Sequence, residues 1–314
     1  MNILLAGGAG FLGSHLAEGL IEQGHQLTIV DNLSSGLLSN LDNVIDKVKF
    51  VKADISDYRT DDKFGLIINL ASRASRVEWE TYPVEVALAN GEGNHNLIKI
   101  ALESNSKYIF ASTSEVYGTP DVVPTPEGYI GKVSSTGSRS PYDEGKRYGE
   151  ALVMAYHKQF GLNSTIIRFF NTYGPRMRGD DFYGRVVDRF IKQCLSNSPV
   201  TVYGDGTQTR SFTYVKDSVN GILKVMERGT AGEVYNIGSD EEIKIIDLAE
   251  LIISETKSRS KIVFKPLPED DPLRRGADVK KLIELGWARQ YSLQEGIRKM
   301  ISFMQGKVQE ISGK

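Results

Sequence analysis

The chain has 314 residues, of which 40% are hydrophobic and 25% charged, and a formal net charge of −2. That length accommodates a doubly wound domain and a smaller second one. Charges of both signs are interspersed, which gives no electrostatic case for a nucleic-acid or membrane partner, and no apolar run approaches the ~20 residues of a spanning helix.

The apolar start Met1–Ala6 is too short for a signal peptide and lacks a basic flank. Cys194 is the only cysteine. No intrachain disulfide can form, which fits a reducing, cytoplasmic setting.

In chain order, short apolar runs predict strands at Asn2–Ala6, Gln26–Val30, Val48–Val51, Leu66–Leu70, Tyr108–Ala111 and Ser164–Phe169. Helical patterning predicts Phe11–Gln23, Val84–Glu103 and Pro141–Phe160 between them. Unbroken apolar strands alternating with helices imply an α/β fold, a doubly wound parallel sheet covered on both faces. The texture changes at Gly174-Pro175. Residues 174–184 read as a loop. A helix over Val186–Ser196, a strand pair near Thr201–Tyr203 and Ser211–Tyr214, and helices near Asp217–Glu227 and Ile246–Thr256 follow. Pro266–Asp278 reads as another loop, and the polar last ten residues are expected to fray. The expected division is 1–173 and 174–314, with strands of the sheet able to return later in the chain.

The first strand runs directly into Gly7-Gly8-Ala9-Gly10-Phe11-Leu12-Gly13. Gly7, Gly10 and Gly13 permit a tight turn and close approach of backbone to a pyrophosphate. The helix opening at Phe11 and Leu12 then offers N–H groups to phosphate. Asp31 closes the second strand roughly 20 residues on, where an acid bonds a ribose and repels a 2′-phosphate. The expected cofactor is therefore NAD, with Asn32 beside Asp31, Asp54-Ile55 flanking the adenine, and Leu70-Ala71 at the end of the fourth strand. A ligand-free βα turn and an ordinary aspartate N-cap at Asp54 are the plainer alternatives. No metal ligand set is expected.

Pro141-Tyr142-Asp143-Glu144-Gly145-Lys146 opens a helix, and Tyr142 and Lys146 share one face. A neighbouring ammonium favours a phenolate, so the pair can take a hydroxyl proton while hydride leaves the same carbon. Thr113, Ser114 and Glu115 at the end of the fifth strand add hydroxyls and a carboxylate to the same mouth. A surface cation–aromatic contact and a Ser/Thr-rich turn are the plain readings.

Together these residues resemble the extended short-chain dehydrogenase/reductases, NAD-dependent epimerases and dehydratases of nucleotide sugars. The resemblance spans Gly7 to Trp287. It implies a Rossmann-type sheet, a smaller C-terminal α/β domain binding a nucleotide-diphosphate sugar, and a homodimer formed through Val84–Glu103 and Ala151–His157. The strings ASTSEVYG (111–118), YDEGKR (142–147), FNTYGPRM (170–177), GRVV (184–187), VYGDGTQTRSF (202–212) and DDPLRR (270–275) look closest to the UDP-glucuronate decarboxylases of that family. By that resemblance, Thr113, Glu115, Tyr142 and Lys146 are catalytic. Ser114 touches substrate. Asn171, Arg210 and Arg275 hold the diphosphate, and Val187 and Tyr203 line the base pocket. Epimerisation or 4,6-dehydration of a similar sugar is the alternative.

One departure stands out. Arg73 and Arg76 occupy positions where the decarboxylases carry prolines. They hold a sugar carboxylate on one reading and pair with Glu78 or Glu80 on the other.

Overall fold

The computed structural model describes residues 1–178, 185–267 and 273–312, with side chains to residue 306. Gly184 and Asp270 of the strings above, and parts of both expected loops, lie outside these residues. The described first half runs β1 (Asn2–Ala6), α1 (Phe11–Glu22), β2 (Gln26–Asp31), β3 (Lys49–Lys52), β4 (Leu66–Asn69), α2 (Arg76–Thr81), α3 (Pro83–Leu88), α4 (Asn94–Ser104), β5 (Lys107–Thr113), α5 (Ser140–Phe160) and β6 (Ser164–Phe169). Then come β7 (Thr172–Tyr173), α6 (Val186–Leu195), β8 (Val200–Tyr203), β9 (Thr209–Ser211), β10 (Thr213–Tyr214), α7 (Val215–Arg228) and β11 (Val234–Ile237). β12 (Glu242–Lys244), α8 (Ile245–Thr256), β13 (Ile262–Lys265), β14 (Arg274–Arg275), α9 (Lys280–Glu284) and α10 (Leu293–Ser312) complete the chain.

Seven parallel strands form one sheet in the order β11-β6-β5-β4-β1-β2-β3. The central strands β1 and β4 are buried and largely apolar because they face helices on both sides, whereas the edge strand β3 is only half-buried. Side chains alternate between faces. Ile3 and Leu5 of β1 join Leu16 and Leu20 of α1 and Ile222 of α7 in one core layer. Leu4 and Ala6 join Leu97 of α4 and Val153 of α5 in the other. A third apolar cluster lies among α6, α8 and α10, with Phe190, Leu248 and Met300 buried in it.

Two expectations change. Val84–Glu103 is not one helix: α3 passes through a π turn at Ala89–Gly93 into α4, and a separate α2 precedes Pro83. The wide turn lies where this segment crosses α5 with glycines in contact: a Cβ on Gly149 would sit 3.2 Å from the Asn90 carbonyl oxygen. The segments near Thr201–Tyr203 and Ser211–Tyr214 do not pair with each other. β8 pairs with β13, β9 with β12 and β14, and β10 with β7. Their partners are distant in sequence, so local pattern could not assign them. Helix α10 runs to Ser312.

Candidate active site

β1 lies between β4 and β2, where the winding of the sheet reverses, and its end opens onto the crevice in which ligands of such sheets bind. Gly7 has φ +77°, and a Cβ there would lie 2.7 Å from the Ala71 backbone nitrogen. A Cβ on Gly13 would lie 2.2 Å from the Gly7 carbonyl oxygen. Only glycine therefore lets this turn close on itself at the start of α1. Asp31 braces the turn: Ala9 N–H and Leu33 N–H donate to its two carboxylate oxygens at 3.0 and 2.8 Å. Burial pushes its carboxyl up, opposed by these two bonds.

A trough follows. Gly7, Gly10 and Leu70 line its shared middle. Asp31, Asn32, Asp54, Ile55 and Ala71 line one end, and Phe11, Leu12, Gly13, Tyr142 and Lys146 the other. All the residues expected to hold a dinucleotide thus face one continuous space. It offers Cβ-free backbone and a helix N-terminus in the middle and a carboxylate at one end, which fits NAD. Asn32 Nδ2 donates to Asp54 at 2.7 Å, tying the rim together.

At the far end, the Tyr142 hydroxyl is hydrogen-bonded to Thr113, and Thr113 Oγ1 also accepts from Glu115 N–H at 3.2 Å. The Tyr142 ring stacks on Trp79, 4.5 Å between centroids and 12° from parallel. Burial holds the phenol well above its ordinary range; the Thr113 bond opposes this, while the Glu115 and Asp143 charges add to it.

Lys146 Nζ donates to the Ala111 carbonyl at 2.7 Å and sits 4.9 Å from the Phe110 ring centroid. Burial brings it down to about 7, with Glu150 opposing. The ammonium thus reaches the β5 backbone one helical turn from Tyr142.

Glu115 is clamped between two arginines. Arg275 donates to its two oxygens at 2.5 and 3.1 Å, and Arg139 donates to Oε2. The guanidinium groups outweigh burial, the largest single influence, and hold Glu115 below its ordinary value. Arg275, expected on a diphosphate, is engaged with Glu115. Arg139 also approaches Asp143, at 3.4 Å, and stands over the Trp79 ring. Burial lifts Asp143 to about 7.

Beyond Glu115 opens a second cavity, lined among the described residues by six arginines and one carboxylate. Asn171, Val187, Tyr203, Arg210 and Arg275 all face it. Asn171 Nδ2 bonds Ser211 O at 3.1 Å, and Arg210 bonds Thr209 O at 2.8 Å. Ser114 is buried and faces the trough instead. Arg139, Arg185 and Arg189 were not singled out from sequence. Arg189 lies over the Tyr203 ring at 5.1 Å. Arg73 and Arg76 part company: Arg73 pairs with Glu78 at 3.3 Å beside the cofactor trough, whereas Arg76 pairs with Glu80 at 2.9 Å and faces the arginine-rich cavity.

Residues 3–238 match the NAD dependent epimerase/dehydratase family. The chain belongs to this family. It is an NAD-dependent enzyme fold of that kind, and its relatives agree along nearly the whole length. It is 42% identical to UDP-glucuronic acid decarboxylase 1 of Danio rerio over 96% of this chain and 72% of the relative. It is 40% identical to UDP-glucuronic acid decarboxylase 1 of Arabidopsis thaliana over 98% and 71%. Among solved structures, UDP-glucose 4-epimerase of Thermotoga maritima with UDP-glucose superposes with a TM-score of 0.88 at 33% identity, covering 98% of this chain and 100% of that one. A Tyr-to-Phe mutant of UDP-glucuronic acid 4-epimerase from Bacillus cereus, in complex with UDP-4-deoxy-4-fluoro-glucuronic acid and NAD, gives 0.88 at 28% identity with the same coverage.

Proposed function

We propose that this epimerase/dehydratase family member converts UDP-glucuronate to UDP-xylose, by oxidation at C4, loss of carbon dioxide and re-reduction. The observation that carries it is the meeting of Thr113, Tyr142 and Glu115 at the junction of the cofactor trough with the arginine-lined cavity, in a chain about two-fifths identical to named decarboxylases.

NAD in the trough supplies acceptance of the C4 hydride and its later return. The protein's own groups do the rest. Arg210, Arg185 and Arg189 offer planar donors to the diphosphate. Thr113 bonds the C4 oxygen, and Tyr142 takes its proton; Lys146 holds cofactor hydroxyls and, as an ammonium, favours the phenolate. The ketone made at C4 is β to the carboxylate. Breaking the bond to the carboxyl carbon leaves its electron pair on C5, delocalised onto the ketone oxygen. Thr113 and Tyr142 stabilise that oxygen. Glu115, ionised between its arginines, orients a water that protonates C5. Residues 1–173, with β11 returning to their sheet, hold the cofactor and the reactive groups, and 174–314 supply much of the nucleotide-sugar cavity.

Incubation with UDP-glucuronate, read by product mass, tests the reading: a product lighter by carbon dioxide supports it, and unchanged mass removes it. Epimerisation at C4 is the second reading, favoured by Arg76 in the sugar-side cavity, where a cation that holds a carboxylate firmly opposes its loss. The exposed apolar residues Val84, Leu88 and Tyr148 on α3 and α5 support a homodimer through that face, and buried Cys194 as sole cysteine supports a cytoplasmic setting.

A further inference from the structure

Behind the reactive pair lies a buried polar group that the proposed chemistry leaves unused. Glu150 sits four residues after Lys146 on α5, one turn away on the same helix face. It is 9% exposed. Ser112 Oγ donates to its Oε1 at 2.5 Å. Arg168 Nε and Nη2, from β6, donate to its two oxygens at 2.8 and 2.6 Å. Arg168 in turn donates to the Tyr117 hydroxyl and the Glu127 carbonyl, both at 2.9 Å, and Tyr117 donates to Asn236 of β11 at 2.7 Å. Every strong donor in this set is therefore spoken for, and the carboxylate cannot swing away.

The consequence lies on the other side of β5. Ser112 falls between Ala111, whose carbonyl accepts from Lys146, and Thr113, which bonds Tyr142. Glu150 thus grips the middle residue of the three-residue strand end that holds both reactive side chains. It also acts electrically. Around Lys146 stand the Phe110 ring and the Ala111 carbonyl from β5, and Tyr142 and Glu150 from its own helix. Of these, Glu150 carries the full negative charge, and it favours the ammonium against burial. Arg168 pairs with Glu150 from β6, at 2.6 Å.

We propose that Glu150, clamped by Arg168 and Ser112, is the positioning residue that keeps Lys146 protonated and aims it along the end of β5. A buried lysine without a counter-charge gives up its proton, and a neutral amine neither favours a phenolate nor holds a fixed orientation. This rests on the assignment of Lys146 to the reaction, but the test below does not need turnover.

The experiment titrates Lys146 directly, by carbon NMR of the lysine ε-methylene in protein labelled at lysine, assigned by its absence from a Lys146→Met sample. Wild type, Glu150→Gln, Glu150→Asp and the double variant Glu150→Gln/Arg168→Met are compared, each checked for native circular dichroism. The double variant removes the guanidinium that Glu150→Gln alone would leave buried and unpaired, so it remains informative if the single variant does not fold. Expected is a downward shift of the Lys146 midpoint by about one pH unit in the charge-free variants, a tenfold change in the proton equilibrium, with Glu150→Asp restoring most of it. A folded charge-free variant with an unmoved Lys146 midpoint overturns the proposal. Where UDP-glucuronate is turned over, the alkaline limb of kcat moves down by the same amount. If wild type turns over no nucleotide sugar, the functional reading fails, while the titration still decides the role of Glu150.

Discussion

Replacing Arg275 by methionine probes the clamp around Glu115. The change keeps apolar bulk and removes the hydrogen bonds at 2.5 and 3.1 Å. Stripping one partner from a buried ion pair costs ~3–5 kcal/mol when the other charge is left alone. Here it is not, because Arg139 still donates to Glu115. The expected destabilisation is therefore about 2–3 kcal/mol, in line with the loss of one or two charge-assisted hydrogen bonds. A denaturant double-mutant cycle with Arg275→Met, Glu115→Gln and both together isolates the pair, with an expected coupling of ~1–3 kcal/mol.

The pH dependence carries a sign. Glu115 lies below its ordinary value when folded, so its contribution is present above the unfolded carboxyl pKa, ~4.3. It is lost as pH falls through the lower folded value. In Arg275→Met the folded value rises, so the acid limb begins at higher pH and the gap to wild type closes in acid. A coupling under ~0.5 kcal/mol with identical acid limbs would refute the clamp.

Tyr142→Phe keeps the ring against Trp79 and removes the proton acceptor. Turnover of UDP-glucuronate should fall by ~10²–10⁴ while calorimetry shows NAD still bound, and undiminished turnover would show that another group takes the proton. Gly13→Ala places a Cβ 2.2 Å from the Gly7 oxygen, so the turn must open. NAD affinity should drop at least about tenfold, equivalent to ~1.4 kcal/mol, with unaltered binding counting against the trough as the cofactor site. Asp31→Asn weakens the bracing of Ala9 and Leu33 at a cost of ~1–3 kcal/mol and should narrow the preference for NAD over NADP; an unchanged ratio of the two affinities would remove Asp31 from that choice.

Sequence pattern located what local physics decides. β1, α1 and β6 were placed to within a residue because short apolar runs bounded by glycine or polar turns have few other uses. The glycine turn and the Tyr142–Lys146 spacing are likewise local. What escaped depends on distant contacts. The Glu115–Arg275 pair spans 160 positions, so Arg275 looked available for a diphosphate when the fold had given it a carboxylate. Arg139 carried no signal beyond its place before α5, yet it stands between Glu115, Asp143 and Trp79. Trp79 carries no signal in the sequence, and it is α2 that brings it onto Tyr142. The reach of Lys146 toward Ala111 follows from how deeply α5 lies against β5, which spacing along one helix does not express.

The seventh strand has a consequence for anyone who would take this enzyme apart. β11 comes from beyond residue 173, pairs with β6 and is anchored through Asn236 to Tyr117. A chain stopped after Tyr173 would leave β6 as a bare, apolar rim that invites self-association. A chimera that borrows another relative's sugar-recognising portion must keep Val234–Ile237 matched to its own first half, or rebuild that seam as well.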